Sequence, residues 1–247
     1  MDQEFGLIVV GDEILKGKRR DRHFEAFRQM LGERGLTLAW LQLLPDDPDL
    51  LIRRLRNSME EGLPVFSCGG IGATPDDHTR HCAAAAAQVP LVAHPEAVAE
   101  IEARFGADAY PNRIRMADLP QGCELIPNPH NRIPGFSLNR HYFLPGFPEM
   151  AHPMARWVLD THYSDPVVRE RELAIKVYET PESNLMPLLQ RLTTAWPQFK
   201  LYSLPRLGPK GFIELGFRGR GNLEPAFDAL CQGVELLGLR YEPVDPA

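Results

Sequence analysis

Three short apolar runs, each closed by a turn of small or acidic residues and followed by a helix-length stretch, fill roughly the first 90 residues. Phe5 to Val10 is the first run, and Gly11 ends it. Asp21 to Arg34 then places Phe24, Phe27 and Leu31 on one helical face, with Gly35 as its stop. Leu36 to Leu43 is the second run. After it, Asp47 is placed to cap a helix that starts at Pro48, carries Ile52, Leu55 and Met59, and closes at Gly62. Leu63 to Ser67 is the third run, and Gly69-Gly70-Ile71-Gly72 is the turn that follows. Thr74 is expected to cap the next helix, with Pro75 at its first position and Asp77 three residues beyond the cap. The small side chains of Ala83 to Ala87 would let that helix lie close to a sheet. Such βαβαβα alternation predicts a mostly parallel sheet with helices on both faces.

The remainder divides in two. Pro95 to Phe105 is read as a helix. Tyr110 to Gly146 is rich in Pro, Asn and Gly, with short strands expected at Glu124–Ile126 and His141–Leu144, and Pro148 to Leu159 is again helical. A boundary is expected near Ser164-Asp165-Pro166, giving domains 1–165 and 166–247. In the second, Glu172–Tyr178, Lys200–Leu204 and Phe212–Arg218 alternate as strands. Glu182–Trp196, with Leu185, Leu188, Leu189 and Leu192 on its apolar face, and Leu223–Leu237 read as helices. That is a βαββα unit, a small α+β domain.

Charge narrows the partners. With 27 Lys and Arg against 33 Asp and Glu the net charge is -6, which argues against a nucleic-acid surface. An acidic chain that binds phosphate needs backbone N–H groups or a divalent metal to compensate. None of the four cysteines sits in a C-x-x-C pair, so zinc and dithiol-redox sites are not expected and a reduced, cytoplasmic setting is. No leader or membrane-spanning segment is expected either.

Ligands of parallel α/β sheets bind beyond the carboxyl ends of the strands. Three polar clusters fall there: Gly11-Asp12-Glu13, then Asp46-Asp47, then the stretch from Gly69 to Thr79. Glycines let a ligand approach the backbone, and a helix N-terminus suits phosphate. The loop matches neither a Walker motif, since no Gly-Lys-Ser/Thr follows, nor the dinucleotide fingerprint, since Pro75 stands where its third glycine would be. Carboxylates beside phosphate repel it unless a divalent cation, Mg²⁺ or similar, lies between. Asp12 and Asp77 are therefore candidate metal ligands. Glu13 and Asp76 are further candidates, and Asp46 is preferred to Asp47, whose helix-capping role is sufficient. His78, His81 and Cys68 read as structural or solvated residues. Asn128-Pro129-His130-Asn131 and Pro134-Gly135-Phe136 are candidates for a loop over the ligand. Arg206, Lys210, Arg218 and Arg220 read as a solvated basic face.

Three ordered motifs carry a resemblance. Gly11-Asp12-Glu13-Ile14-Leu15-x-Gly17, Gly69-Gly70-x-Gly72-x-x-x-Asp76-Asp77-x-Thr79 and Leu144-Pro145-Gly146-x-Pro148-x-Met150 resemble the molybdopterin-binding domain family, nearest the amino-terminal part of its competence/damage-inducible protein A (CinA) branch. The resemblance covers residues 5 to about 160, and more weakly the small domain that follows. It implies a three-layer α/β/α sandwich and a homo-oligomer. It also implies a phosphate-bearing ligand, either molybdopterin or an adenine nucleotide such as ADP-ribose, with metal-dependent chemistry at a pyrophosphate. The resemblance marks Asp77, and Asp46 with it, as important; together with the reading of the residues, the catalytic candidates are Asp12, Glu13, Asp46 and Asp77. Gly11, Gly69, Gly70, Gly72, Thr74, Asp76, Thr79, Pro145 and Gly146 would contact the ligand. Two departures stand out: His23 occupies a position where many relatives carry Asn, and no motif matching the deamidase domain of full-length CinA is present. A module that binds without turnover, or an oligomeric interaction protein, remains the alternative.

Overall fold

The computed structural model describes residues 4–164, 170–206, 208 and 211–244. The expected boundary residues Asp165 and Pro166, and Lys210 of the basic face, lie outside them. The chain divides into two compact units, residues 1–167 and 168–247.

The first unit begins with β1 (Glu4–Val10), a four-residue helix α1 (Asp12–Leu15), α2 (His23–Gly32), β2 (Thr37–Leu44), α3 (Pro48–Glu61) and β3 (Val65–Cys68). It continues through α4 (Thr79–Ala87), β4 (Leu91–Ala93), α5 (Pro95–Phe105), β5 (Asp118–Pro120), β6 (Glu124–Ile126), β7 (Gly135–Leu138), β8 (His141–Leu144) and α6 (Pro148–His162). The main sheet has six strands in the order β2-β1-β3-β8-β7-β6. β1, β2, β3 and β8 run parallel, while β7 pairs antiparallel with both β8 and β6 and alone runs against the rest. Alternate residues of β1 feed two separate cores: Ile8 and Val10 pack toward α3, α4 and α5, and Phe5, Leu7 and Val9 toward α2 and α6. A strand buried on both faces in this way needs continuous apolar sequence, as Phe5 to Val10 has. The expected three-layer arrangement follows.

Local differences have physical causes. Asp47 does cap α3, accepting from the Leu50 N–H at 2.8 Å. In α2 the buried residues are His23, Phe27, Met30 and Leu31, whereas Phe24, expected on the buried face, is 43% exposed. The buried set follows the i, i+4, i+7, i+8 stripe, and Phe24 falls one residue off it. The helix expected to start at Pro75 starts at Thr79 instead, one turn later. The Asp77 carboxylate accepts from the Thr74 N–H at 2.8 Å and from the Thr74 hydroxyl, closing residues 74–77 into a turn. Thr74 is thus the donor to a capping acid rather than the cap of a helix. Gly135 and Phe136 do not form a loop over a ligand. They lie in β7, with the Phe136 ring stacked on Phe143 at 4.5 Å inside the core.

The second unit comprises β9 (Arg171–Tyr178), a short 3-10 turn at Glu182–Asn184, α7 (Met186–Ala195), β10 (Lys200–Arg206), β11 (Phe212–Gly219), α8 (Glu224–Leu236) and β12 (Tyr241–Pro243). Its four antiparallel strands order as β10-β11-β9-β12. Leu185, Leu188 and Leu192 pack onto Ile175, Val177, Leu215 and Phe217, as the apolar periodicity requires. β12, absent from the βαββα reading, is a three-residue edge strand; Pro243 is tolerated there because an edge leaves some N–H groups unused.

A buried histidine makes this fold acid-sensitive. His141 is fully buried in β8; its Nδ1 lies 3.0 Å from the Asn139 carbonyl and its Nε2 lies 2.7 Å from the Ser58 hydroxyl. Burial pulls its pKa from 6.5 to about 4, so the folded protein holds it neutral. Its stabilisation is complete above the unfolded pKa and is lost as pH falls from about 6.5 toward 4. The loss amounts to roughly 3 kcal/mol by pH 4. Thermal melts of wild type and His141→Gln should therefore converge as the pH is lowered through that window. A constant difference between them would refute the assignment.

Candidate functional site

β2 and β3 lie on opposite sides of β1, so the chain leaves β1 in one direction and returns on the other. Loops beyond such a switch point separate and leave a crevice. Here the crevice is a cavity of about 450 Å³, within the range of small-ligand sites.

The loop after β3 forms one wall. Gly69 has φ +109 and Gly70 φ +68, conformations that side-chain-bearing residues seldom adopt. A Cβ on Gly69 would lie 2.3 Å from the Val10 carbonyl oxygen, so only glycine lets this loop pass the end of β1. Three buried groups hold the loop from behind. Thr79 Oγ1 donates to the Gly69 carbonyl at 2.9 Å, and the Thr79 N–H donates to the Gly70 carbonyl at 2.9 Å. Arg80, 4% exposed, donates to the carbonyls of Ile71, Gly72, Arg115 and Asp118 at 3.1, 2.7, 2.6 and 2.9 Å. Tying down these carbonyls fixes the orientation of the peptide groups in the loop.

Carboxylates gather along the same cavity. Glu13, Asp46, Asp76 and Asp77 all line it, together with Gly11, Gly69, Gly70, Gly72, Thr74, Pro145 and Gly146. Asp12 and Thr79 do not. The Asp12 carboxylate pairs with Lys16, while its backbone N–H donates to Asp46 Oδ2 at 2.9 Å. Asp12 thus does not face the cavity as expected, whereas Asp46 does, and Thr79 supports the loop from beneath. Burial, with the neighbouring charges of Asp12, Glu13 and Asp76, raises the Asp46 carboxyl above its ordinary range, against the Asp12 N–H that lowers it. Among the described residues no three His, Cys, Asp or Glu side chains come together as a ready-made metal centre.

Apolar side chains line part of the cavity as well: Met116, Ile133, Phe147 and Met150, with Asn128 and Asn131 also in the lining. Asn128 is 4% exposed and accepts at its Oδ1 from the His130 N–H at 3.0 Å; its Nδ2 has no hydrogen-bond partner among the described residues. Met116, Phe147 and Arg19 escaped the sequence reading. Met116 comes from a 3-10 segment far from any motif, and nothing in its own neighbourhood signals a cavity.

Other expected features fall outside the cavity. His78 and His81 border an adjoining polar recess of about 490 Å³ with Arg115 and Asp118, and Thr74 and Asp77 line both spaces. Cys68 is fully buried and its thiol is pushed far up by burial, so it is no nucleophile near neutral pH. His23 is also buried; its Nε2 lies 3.2 Å from the Gly146 carbonyl, at the cavity edge, and burial lowers its pKa. In the second unit Arg206 is exposed, and Arg218 pairs with Glu170 at 3.3 Å.

Switch-point cavity, glycine wall and acidic rim together define a doubly wound α/β domain built around a small-molecule site. Comparison with known proteins makes the class specific. Residues 6–165 match the family described as "Probable molybdopterin binding domain", and the chain belongs to that family. It is 30% identical over 198 residues to a CinA-like protein of Geobacter sp. (strain M21), covering 74% of this chain and 46% of that one. This chain therefore spans about half the length of that curated relative. A protein of Pyrobaculum arsenaticum is 27% identical over 215 residues, covering 83% of this chain and 80% of its own. That match is longer than the first unit and so extends into the second. The crystal structure of the protein CinA from Thermoplasma acidophilum superposes with a TM-score of 0.60 at 28% identity, covering 65% of this chain and 98% of that one. No helix among the described residues is long and apolar enough to cross a membrane.

Proposed function

We propose that the first unit binds a phosphate-bearing adenine nucleotide or pterin and cleaves its pyrophosphate linkage with a divalent metal. One observation carries this reading: a backbone cradle, four carboxylates and an apolar slot line the same cavity. The slot of Met116, Ile133, Phe147 and Met150 suits a flat heteroaromatic ring. The loop at Gly69 to Gly72 suits a phosphate approaching the backbone.

The metal fits the donor set in a particular way. Hard carboxylate oxygens line the cavity, and a cation held by only two of them would take the rest of its shell from ligand phosphate and water. Asp46 and Asp77 would hold it, and Glu13, which lines the same cavity, would orient water. A bound divalent cation supplies charge neutralisation at phosphorus. The protein supplies positioning, and the apolar wall limits access of bulk water.

The test is mass-spectrometric product detection with ADP-ribose and related dinucleotides, in Mg²⁺, Mn²⁺ or Co²⁺ and in chelator. Metal-dependent AMP release supports the full reading. Ligand retention without product reduces it to a binding module. Neither binding nor product across nucleotides and pterins overturns it.

A further inference from the structure

Five of the seven residues from Lys16 to Arg22 are basic, in a chain whose net charge is -6. This loop joins α1 to α2 and borders the cavity. Two of its cations are already engaged: Lys16 with Asp12, and Arg22 with Glu149 at 3.2 Å. Lys18, Arg19 and Arg20 are exposed, and none makes an ion pair within 4.0 Å among the described residues. Among the described residues that line the cavity, Arg19 is the one Lys or Arg. Its backbone N–H donates to the Glu13 carbonyl at 3.0 Å, which anchors the loop at the rim.

The absence of an ion pair at Arg19 is informative. Glu13, Asp46, Asp76 and Asp77 line the same cavity, yet none holds its guanidinium. An exposed cation at the cavity with no carboxylate paired to it is available to an anion that enters. The Gly69 N–H is spent on the Leu144 carbonyl at 3.0 Å, so the N–H groups of Gly70 to Gly72 would meet one phosphate, and four carboxylates would repel a second unless something compensates for its charge. A guanidinium recognises phosphate with two parallel hydrogen bonds and keeps its charge at every working pH.

We infer that Arg19 is the specificity residue of this cavity, contacting a second phosphate and so selecting diphosphate-bearing nucleotides over monophosphates. Lys18 and Arg20 supply only the surrounding field, which speeds arrival of an anion without choosing among anions. The inference rests on the nucleotide reading above and adds to it the residue that reads ligand charge.

The experiment is titration calorimetry of the full chain with ADP and with AMP, in Mg²⁺ and again in chelator. Wild type is expected to prefer ADP by about tenfold or more, the scale of a charge-assisted phosphate contact. Arg19→Ala should abolish the preference while leaving AMP affinity within about twofold, and Arg19→Lys should keep part of it. The double variant Lys18→Gln/Arg20→Gln should slow association and leave the ADP-to-AMP ratio intact. An unchanged ratio in Arg19→Ala would overturn the inference alone. So would a ratio that falls as far in the Lys18/Arg20 variant. If wild type binds neither nucleotide, the nucleotide reading itself fails and the inference with it.

Discussion

Asp77→Asn is expected to lower metal-dependent turnover of a pyrophosphate substrate by about a hundredfold or more while Tm stays within about 2 °C of wild type. The substitution separates two things that Asp77 does. Its carboxylate closes the 74–77 turn through the Thr74 N–H and hydroxyl, and it presents negative charge to the cavity. An asparagine oxygen can still accept from the Thr74 N–H, so the turn survives. The charge that would hold a cation does not. Asp46→Asn should behave similarly in turnover, since its oxygen can still accept from the Asp12 N–H. Asp12→Asn should have a much smaller effect, because that side chain faces Lys16 and not the cavity. Steady-state rates for the three variants, with Tm recorded alongside, check the ordering. Full turnover in Asp77→Asn would remove this residue from the chemistry, and a loss as large in Asp12→Asn would refute the geometric distinction.

The second large effect is on stability. Gly69→Ala should cost roughly 3 kcal/mol, combining a disfavoured positive φ with a contact that backbone must move to relieve. The added Cβ would meet the Val10 carbonyl oxygen at 2.3 Å. For a unit of this size that corresponds to a fall in Tm of about 6–12 °C. Gly62→Ala is the control: Gly62 also has positive φ, at +77, but a Cβ there meets nothing within 4 Å. It should cost only about 1 kcal/mol. Thermal or urea unfolding of both variants measures the difference, and equal losses would show that close passage of the loop by β1 has no energetic weight.

Much of the architecture was legible because it depends on local pattern. Buried parallel strands must be apolar throughout, and Phe5–Val10 and the run ending at Ser67 are. Gly35, Gly62 and the Asp47-Pro48 pair mark helix ends by backbone chemistry that acts within a few residues. The doubly wound order then placed Gly11, Asp46 and Gly69 at strand ends, and the structure does bring these to one cavity. The second unit was readable for the same reason, since its leucine periodicity and alternating strands are local signals.

What tertiary structure decided were the matters settled by competition between partners. Asp12 and Asp46 are both acids at strand ends, and nothing in the sequence says that Lys16 takes one carboxylate and leaves the other in the cavity. Thr74 carries a cap signature, but Asp77 folds back on it, and the N–H of Thr79 finds the Gly70 carbonyl, so the helix starts there. Phe24 and His23 are neighbours, and the packing of α2 buries the histidine. In the basic stretch at 16–22, Asp12 takes Lys16 and Glu149 takes Arg22, which leaves Arg19 without an ion pair at the cavity among the described residues. Sequence alone determined the α/β layering and which loops would meet, because strand burial and helix termination are set by near neighbours. Only the folded chain decided which side chains of those loops face the cavity, because that depends on partners up to 127 residues apart, such as Arg22 and Glu149.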